Sequence, residues 1–104
     1  MEIRIWRTGG FAGTRERVAQ VDTRSLDSSN ASRIESAVRQ AKFFELPEQV
    51  DTGEVGTDLY RYEIEVSDQS KERTVAFAAS DPSRAGALGN LVKLVTAAAG
   101  AKGG

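Results

Sequence analysis

The sequence contains no cysteine and no histidine. Without cysteine the chain can form no disulfide, offers no thiolate nucleophile and cannot hold a sulfur-ligated zinc ion. Without histidine it lacks the commonest general base and the commonest metal ligand, which excludes a Ser/His/Asp site and a histidine-ligated metal. Any catalytic site would have to consist of carboxylates alone, and the sequence predicts neither a cofactor nor a metal.

Long hydrophobic runs are also missing. No segment approaches the roughly 20 apolar residues that cross a bilayer, and the opening Met1-Glu2-Ile3-Arg4 lacks the apolar core of a signal peptide. We therefore expect a soluble, cytoplasmic protein without a membrane partner. At 104 residues the chain has room for a single two-layer core, which we expect to occupy residues 1–99, with a flexible tail at 100–104.

Basic residues are nearly absent from the middle of the chain. Between residues 43 and 68 the only base, Arg61, is accompanied by eight acids. These acids are Glu45, Glu48, Asp51, Glu54, Asp58, Glu63, Glu65 and Asp68. That balance argues against binding of phosphate backbones by this half. The basic surplus elsewhere is dispersed and not interleaved with aromatics, so we predict no nucleic-acid partner.

Three of the ten glycines, by contrast, lie close together near the start of the chain. Residues 8–14 place one large aromatic, Phe11, among Gly9, Gly10, Ala12 and Gly13. Glycines that are ordered at a cost in backbone entropy indicate a turn geometry or a close backbone approach. The aromatic either folds back onto the domain or points outward to fill a pocket of a partner.

The hydrophobic pattern predicts the order hairpin, helix, hairpin, helix. Period-two alternation indicates strands over residues 1–7, 15–22, 59–66 and 73–79. Three-and-four spacing indicates a helix over residues 29–42, capped by Asp27, Ser28 or Ser29, and a second from Asp81-Pro82 to Ala99. Residues 48–58 read as a long acidic surface loop. The predicted fold is an α+β two-layer ββαββα domain, with a four-stranded, mainly antiparallel sheet and both helices on one face.

Five segments, in order and at consistent spacing, give the chain a resemblance to a known family. They are Arg7-Thr8-Gly9-Gly10-Phe11-Ala12-Gly13, Val21-Asp22-Thr23, Phe43-Phe44-Glu45-Leu46-Pro47, Asp58-Leu59-Tyr60-Arg61-Tyr62-Glu63-Ile64-Glu65-Val66 and Arg73-Thr74-Val75-Ala76-Phe77. With these segments the chain resembles the emfourins, the protealysin-inhibitor family, from residue 1 to about residue 99. The resemblance implies a protein inhibitor of thermolysin-like zinc metallopeptidases, and not an enzyme.

The resemblance also implies which residues contact the peptidase. Thermolysin-like enzymes prefer a bulky apolar side chain just after the scissile bond, so Phe11 is the expected anchor within a loop that enters the cleft. The expected contact residues are Gly9, Gly10, Phe11, Ala12 and Gly13, joined by Glu54 and Asp58 of the second loop. Either carboxylate could approach the zinc of the enzyme, and the sequence does not choose between them. We expect the free protein to be a monomer.

Three other interpretations remain open. The C-terminal Gly103-Gly104 resembles the diglycine of ubiquitin-like modifiers and sulfur carriers, although in those proteins a strand leads into it. Glu63 and Glu65 could serve as paired catalytic carboxylates, but acids at this spacing on an exposed strand face are usually solubilising. The third is an interaction module with an unknown partner. Phe11 as a cap on the sheet edge, with glycines that only shape the turn, is the structural alternative to the anchor.

Overall fold

A single β-sheet and two helices make up the protein in a computed structural model that describes residues 1–9, 14–53, 59–82 and 85–102. The strands are β1 (Glu2–Gly9), β2 (Thr14–Asp22), β3 (Gln49–Val50), β4 (Tyr60–Asp68) and β5 (Lys71–Ala79). The helices are α1 (Ser28–Gln40) and α2 (Gly86–Lys102), and two short 3-10 turns lie at Thr23–Ser25 and Phe43–Glu45. The predicted α+β class and the order of its main elements are confirmed.

The five strands lie in the order β2-β1-β4-β5-β3. β1 pairs antiparallel with both β2 and β4, and β4 pairs antiparallel with β5. One irregularity interrupts the β1–β2 register between Ile5 and Trp6, where Val18 is the extra residue of a β-bulge. Each predicted hairpin is therefore present, and β1 and β4 join the two hairpins at the centre of the sheet.

The core lies between one face of this sheet and the two helices. Alternation places Ile3 and Ile5 of β1 and Ile64 of β4 on that face, and all three side chains are fully buried. The helices contribute Ile34, Ala37, Val38, Leu88, Leu91, Val92, Val95 and Ala98 to the same cluster. We refer to the opposite sheet face, which bears Trp6, Arg15, Glu63 and Glu65, as the open face. The two-layer arrangement follows from this one-sided burial.

Helix α1 begins where the sequence places a cap. Asp27 is extended and its carboxylate accepts a hydrogen bond from the Asn30 backbone N–H at 3.2 Å, which satisfies one of the unpaired donors of the first turn. After the helix, Lys42 adopts a left-handed conformation at φ +51°, and the Phe43 side chain enters the core. Phe44 packs edge-on against Phe43 with ring centroids 6.0 Å apart. The pair closes the end of α1.

The predicted four-stranded sheet is wrong by one strand. Gln49 and Val50, placed in a surface loop on sequence grounds, form β3 and pair in parallel with β5, so the sheet is five-stranded and mixed. The Ala76 N–H donates to the Glu48 carbonyl at 2.7 Å, and the Arg73 guanidinium donates to the Leu46 carbonyl. These bonds stabilise a strand that is too short to carry any alternation of its own.

Helix α2 differs from the prediction at both ends. The Ala85 N–H bonds to the Pro82 carbonyl at 3.0 Å, but the helix itself begins at Gly86, whose φ of +62° is incompatible with an uninterrupted right-handed helix from Pro82. At the other end it passes Ala99, the predicted last residue, and continues to Lys102. Within the ranges described, no helix combines the length and apolar character needed to cross a bilayer.

Candidate functional site

The strand directions bring three connections to one end of the sheet. β1, β3 and β5 all finish at this end, and β2 and β4 begin there, because β3 is parallel to β5 and the other pairs are antiparallel. We call it the loop end; its strand termini are Gly9, Thr14, Val50, Tyr60 and Ala79. The β1–β2 connection, the β3–β4 connection and the chain leading to α2 all leave from it. The two loops predicted to contact a peptidase are therefore attached to the same end of the sheet.

The β1–β2 connection starts beneath an aromatic ring. A Cβ atom placed on Gly9 would lie 2.5 Å from Tyr60 Cδ1 and 3.0 Å from Cε1. The shorter of these distances is less than non-bonded carbon atoms can reach. The Arg7 guanidinium carbon lies 4.9 Å from the centroid of the same ring, in cation–π geometry. Arg7 also donates a hydrogen bond to the Glu16 carboxylate on β2, and this bond raises the pKa of the guanidinium above its usual value. Side-chain contacts thus hold the end of β1 to both of its neighbouring strands, β2 and β4.

The β3–β4 connection is fixed where it leaves β3. The Thr52 hydroxyl donates to the Ala78 carbonyl of β5 at 2.6 Å. Asp51 accepts a hydrogen bond from the Gly53 N–H at 2.8 Å, and Gly53 has a φ of +77°, which favours glycine. The first residues of this loop therefore follow a defined path along the edge of β5.

A row of aromatic rings crosses the sheet at this end. Tyr62 stacks on Phe77 with ring centroids 5.4 Å apart and an interplanar angle of 18°. Tyr60 meets Tyr62 edge-on at 6.5 Å. Tyr62 and Phe77 are buried, whereas 37% of the Tyr60 surface is exposed. The buried pair gives the loop end a rigid apolar base, and Tyr60 extends it toward solvent next to Gly9.

Of the predicted contact residues, the structure describes Gly9, which is half-buried at the end of β1. The others, Gly10, Phe11, Ala12, Gly13, Glu54 and Asp58, lie outside the described residues, and their contact with a peptidase stays a prediction. Sequence reasoning overlooked Tyr60 as part of this site. A glycine ending a strand opposite an aromatic could have signalled the close approach, but the pairing register was needed to see it.

The carboxylates considered for catalysis are engaged in structural contacts on the open face. Glu65 accepts a hydrogen bond from the Trp6 indole N–H, and a Glu63 oxygen lies 3.4 Å from Arg15 Nε. A shallow groove of about 410 Å³ lies beside Glu63, lined mainly by polar and charged side chains such as Arg61 and Glu72. Among the residues with described positions, no three His, Cys, Asp or Glu side chains cluster as metal ligands would. The described part of the chain gives these two acids no apolar pocket for acid–base work.

The chain that precedes the diglycine is helical. α2 continues to Lys102, and Gly103 and Gly104 lie outside the described residues. Ubiquitin-like modifiers and sulfur carriers lead into their diglycine from a strand, so this helix is unlike the arrangement that the alternative requires.

Comparison with protein-family models gives a match over most of the chain. The family model described as Emfourin matches residues 5–96, which is most of the chain. The matched range includes the strand termini that flank both connections at the loop end. These are Gly9 and Thr14 for the β1–β2 connection, and Val50 and Tyr60 for the β3–β4 connection. No curated protein and no solved structure matches the chain.

Proposed function

The chain belongs to the emfourin family, and we propose that it is a protein inhibitor of thermolysin-like zinc metallopeptidases. The β1–β2 connection enters the active-site cleft with Phe11 as its anchor, and the β3–β4 connection makes a second contact. The proposal assigns the chain no catalytic role. The partner is a folded peptidase, and the inhibitor is a monomer before it binds.

The observation that carries this proposal is the attachment of both loops to the same end of the sheet. β1 and β3 are separated by β4 and β5 in the sheet, so their ends at the loop end lie three strand spacings apart, about 15 Å. A standard protein–protein interface covers about 800 Å² on each partner, which is wide enough to include both attachments. One cleft can therefore receive both loops at once.

Rigid attachment favours tight binding by these loops. Ordering a flexible loop on binding costs free energy that is subtracted from the affinity, and preorganisation removes part of that cost. Gly9 is held under Tyr60, and Thr52 is bonded to β5. The scaffold thus orders the chain at the start of each loop before a peptidase arrives.

A second contact is required on energetic grounds. Burial of one phenylalanine side chain contributes about 1.5–3 kcal/mol, whereas a nanomolar complex requires about 12 kcal/mol. Phe11 alone cannot supply the binding free energy of such a complex. Glu54 and Asp58 are the proposed polar contacts of the second loop, and one of them could approach the catalytic zinc, which binds carboxylate oxygens.

An inhibition assay against thermolysin-type peptidases tests the proposal. Phe11→Ala should raise the inhibition constant about 10- to 100-fold, the equivalent of losing the buried side chain, and Phe11→Leu should retain most of the inhibition. Replacement of residues 54–58 by a Gly/Ser segment of equal length should also weaken inhibition. A Gly/Ser replacement of Gln69-Ser70, in the β4–β5 turn at the far end of the sheet, is the matched control and should have no effect.

Two outcomes would contradict the mechanism. If the wild-type protein is digested without inhibiting any peptidase of this class, the proposed function is wrong. If the wild-type protein inhibits and Phe11→Ala inhibits equally well, the function stands but the anchor is misassigned.

A further inference from the structure

The contact between Gly9 and Tyr60 joins the two loop attachments directly. Gly9 is the last residue of β1 and Tyr60 is the first residue of β4. The Tyr60 ring occupies the space that any side chain at position 9 would need, since a Cβ there would lie 2.5 Å from Cδ1, 3.0 Å from Cε1 and 3.4 Å from Cγ. Gly9, which precedes the β1–β2 connection, is therefore packed against Tyr60, which follows the β3–β4 connection.

The ring, and not the backbone, explains why position 9 is a glycine. Gly53 and Gly86 have positive φ angles at which a side chain would be strained. Gly9 does not share this conformation; it lies in a strand, whose backbone conformation any residue can adopt. Replacement of Gly9 by alanine would leave the strand geometry possible and would force the Tyr60 ring to move.

Tyr60 is held in place although much of it is exposed. Tyr60 and Val18, with 37% and 36% of their surfaces accessible, are the exposed large apolar residues in the part of the chain that the structure describes. Arg7 lies against the face of the Tyr60 ring at 4.9 Å, and Tyr62 meets it edge-on at 6.5 Å. Tyr60 lies outside the buried core cluster. Its fixed position is therefore not explained by a need to fill the core.

We propose that Tyr60 is a positioning residue for inhibition: its ring, packed on Gly9, fixes the direction in which the β1–β2 connection leaves the sheet. This inference rests on the proposed function. The ring restrains the Gly9 backbone from one side, and Arg7, which is bonded to Glu16 on β2, restrains the ring. A loop that starts in a fixed direction loses less conformational freedom when it enters a cleft.

A double-mutant cycle tests the inference, because the two substitutions remove the same contact from opposite sides. Gly9→Ala displaces the ring, and Tyr60→Ala deletes it. Each should raise the inhibition constant about tenfold. The double variant should be no worse than Tyr60→Ala, since the three atoms nearest to a Cβ at position 9 all belong to the ring that Tyr60→Ala removes. Tyr60→Phe retains the ring and should inhibit within about twofold of the wild type. Val18→Ala, at the other exposed apolar residue, is the matched control and should be unchanged.

A second readout separates positioning from general stability. Tyr60→Ala and Gly9→Ala should be cleaved in the β1–β2 connection during long incubation with the peptidase, while the wild type persists, because a loop without a fixed direction binds as a substrate. Thermal unfolding midpoints close to that of the wild type should accompany this cleavage. Amide hydrogen exchange at Thr14 should be faster in both variants, whether or not a peptidase is present.

The inference would be overturned if the effects of Gly9→Ala and Tyr60→Ala on the inhibition constant were additive in the double variant. It would also be overturned if Gly9→Ala inhibited like the wild type. Loss of inhibition by Tyr60→Ala with full inhibition by Gly9→Ala would instead make Tyr60 a direct contact and would equally overturn it. These results require a wild type that inhibits. A wild type without inhibition contradicts the proposed function itself, so the two failures are distinguishable.

Discussion

The indole N–H of Trp6 on β1 donates a hydrogen bond to the Glu65 carboxylate on β4, on the open face of the sheet. The Arg15 guanidinium carbon of β2 lies 4.0 Å from the centroid of the same indole, and its Nε is 3.4 Å from a Glu63 oxygen. Side chains thus join β2, β1 and β4 on the sheet face opposite to α1 and α2. The only tryptophan of the chain lies at the centre of this network.

Glu65→Ala should destabilise the protein and change its fluorescence. Loss of the acceptor leaves the half-buried indole N–H without its partner, which should lower the free energy of unfolding by about 1 kcal/mol. The emission of Trp6 should shift to the red as the ring gains mobility and water contact. Urea unfolding followed by tryptophan emission measures both effects. Glu65→Gln retains an acceptor and should resemble the wild type; equal losses in both variants would contradict the assigned bond.

Thr52→Val should loosen the edge strand β3. The substitution keeps the shape of the side chain and removes the hydroxyl that donates to the Ala78 carbonyl, at a cost of about 0.5–1.5 kcal/mol. Amide exchange at Ala76, which bonds to the Glu48 carbonyl, should become faster. Thr74→Val, at an exposed position of β5, is the control. Unchanged exchange at Ala76 would mean that the hydroxyl does not stabilise β3.

Acidification should weaken the cap of α1. The hydrogen bond from the Asn30 N–H lowers the pKa of the Asp27 carboxyl below its usual value, and the guanidinium of Arg24 does the same for Asp22. Because the folded-state pKa lies below the unfolded value, this stabilisation is present above about pH 4 and is lost as the pH falls through the folded-state pKa. Stability should therefore decrease below pH 4.

Asp27→Asn isolates the contribution of the cap to this acid response. Asparagine caps helices about as well as aspartate, so urea unfolding at pH 7 should give nearly wild-type stability. At pH 3 the variant should lose less stability than the wild type, because position 27 no longer titrates. Glu72→Gln, at an exposed position of strand β5, is the control. An acid loss in Asp27→Asn that equals that of the wild type would contradict the role of Asp27.

Two glycines of α2 should respond in opposite directions to alanine. Gly86 has a φ of +62°, where a side chain costs about 1–2 kcal/mol, so Gly86→Ala should destabilise the protein. Gly100 lies within the helix, and a Cβ placed on it would meet no atom within 4 Å in the described part of the chain. Gly100→Ala should therefore stabilise the protein by about 0.5 kcal/mol. Thermal unfolding of the two variants checks the pair. Stabilisation by Gly86→Ala would mean that the helix does not begin at the turn described.

Local patterns in the sequence were sufficient for the main elements of the fold. Period-two alternation predicted a strand over residues 1–7, and because successive side chains of a strand point to opposite faces, Ile3 and Ile5 share one face and Trp6 lies on the other. Asp27 was among three possible caps, and chemistry alone could not choose it. β3 was missed because two residues carry no period, and because its bonds run to Ala76, which is distant in the sequence.

The candidate site was less accessible from the sequence than the fold. The glycine-rich stretch around Phe11 could be recognised, but its relation to the second loop depends on β3 and on the strand order. Tyr60 lies in a predicted strand, and its contact with Gly9 follows only from the pairing of β1 with β4. Such contacts arise from the register between distant segments, which no local pattern specifies.

The turn between β4 and β5 gains a practical use from the strand directions. Asp68 pairs with Lys71 across this turn, and Gln69 within it has a φ of +54°. β4 spans nine residues from Tyr60 to Asp68, so the turn lies about 30 Å from the loop end. A surface tether placed at Ser70 would hold the molecule by the end of the sheet opposite the loop end, which would suit immobilised capture of the proposed peptidase partner.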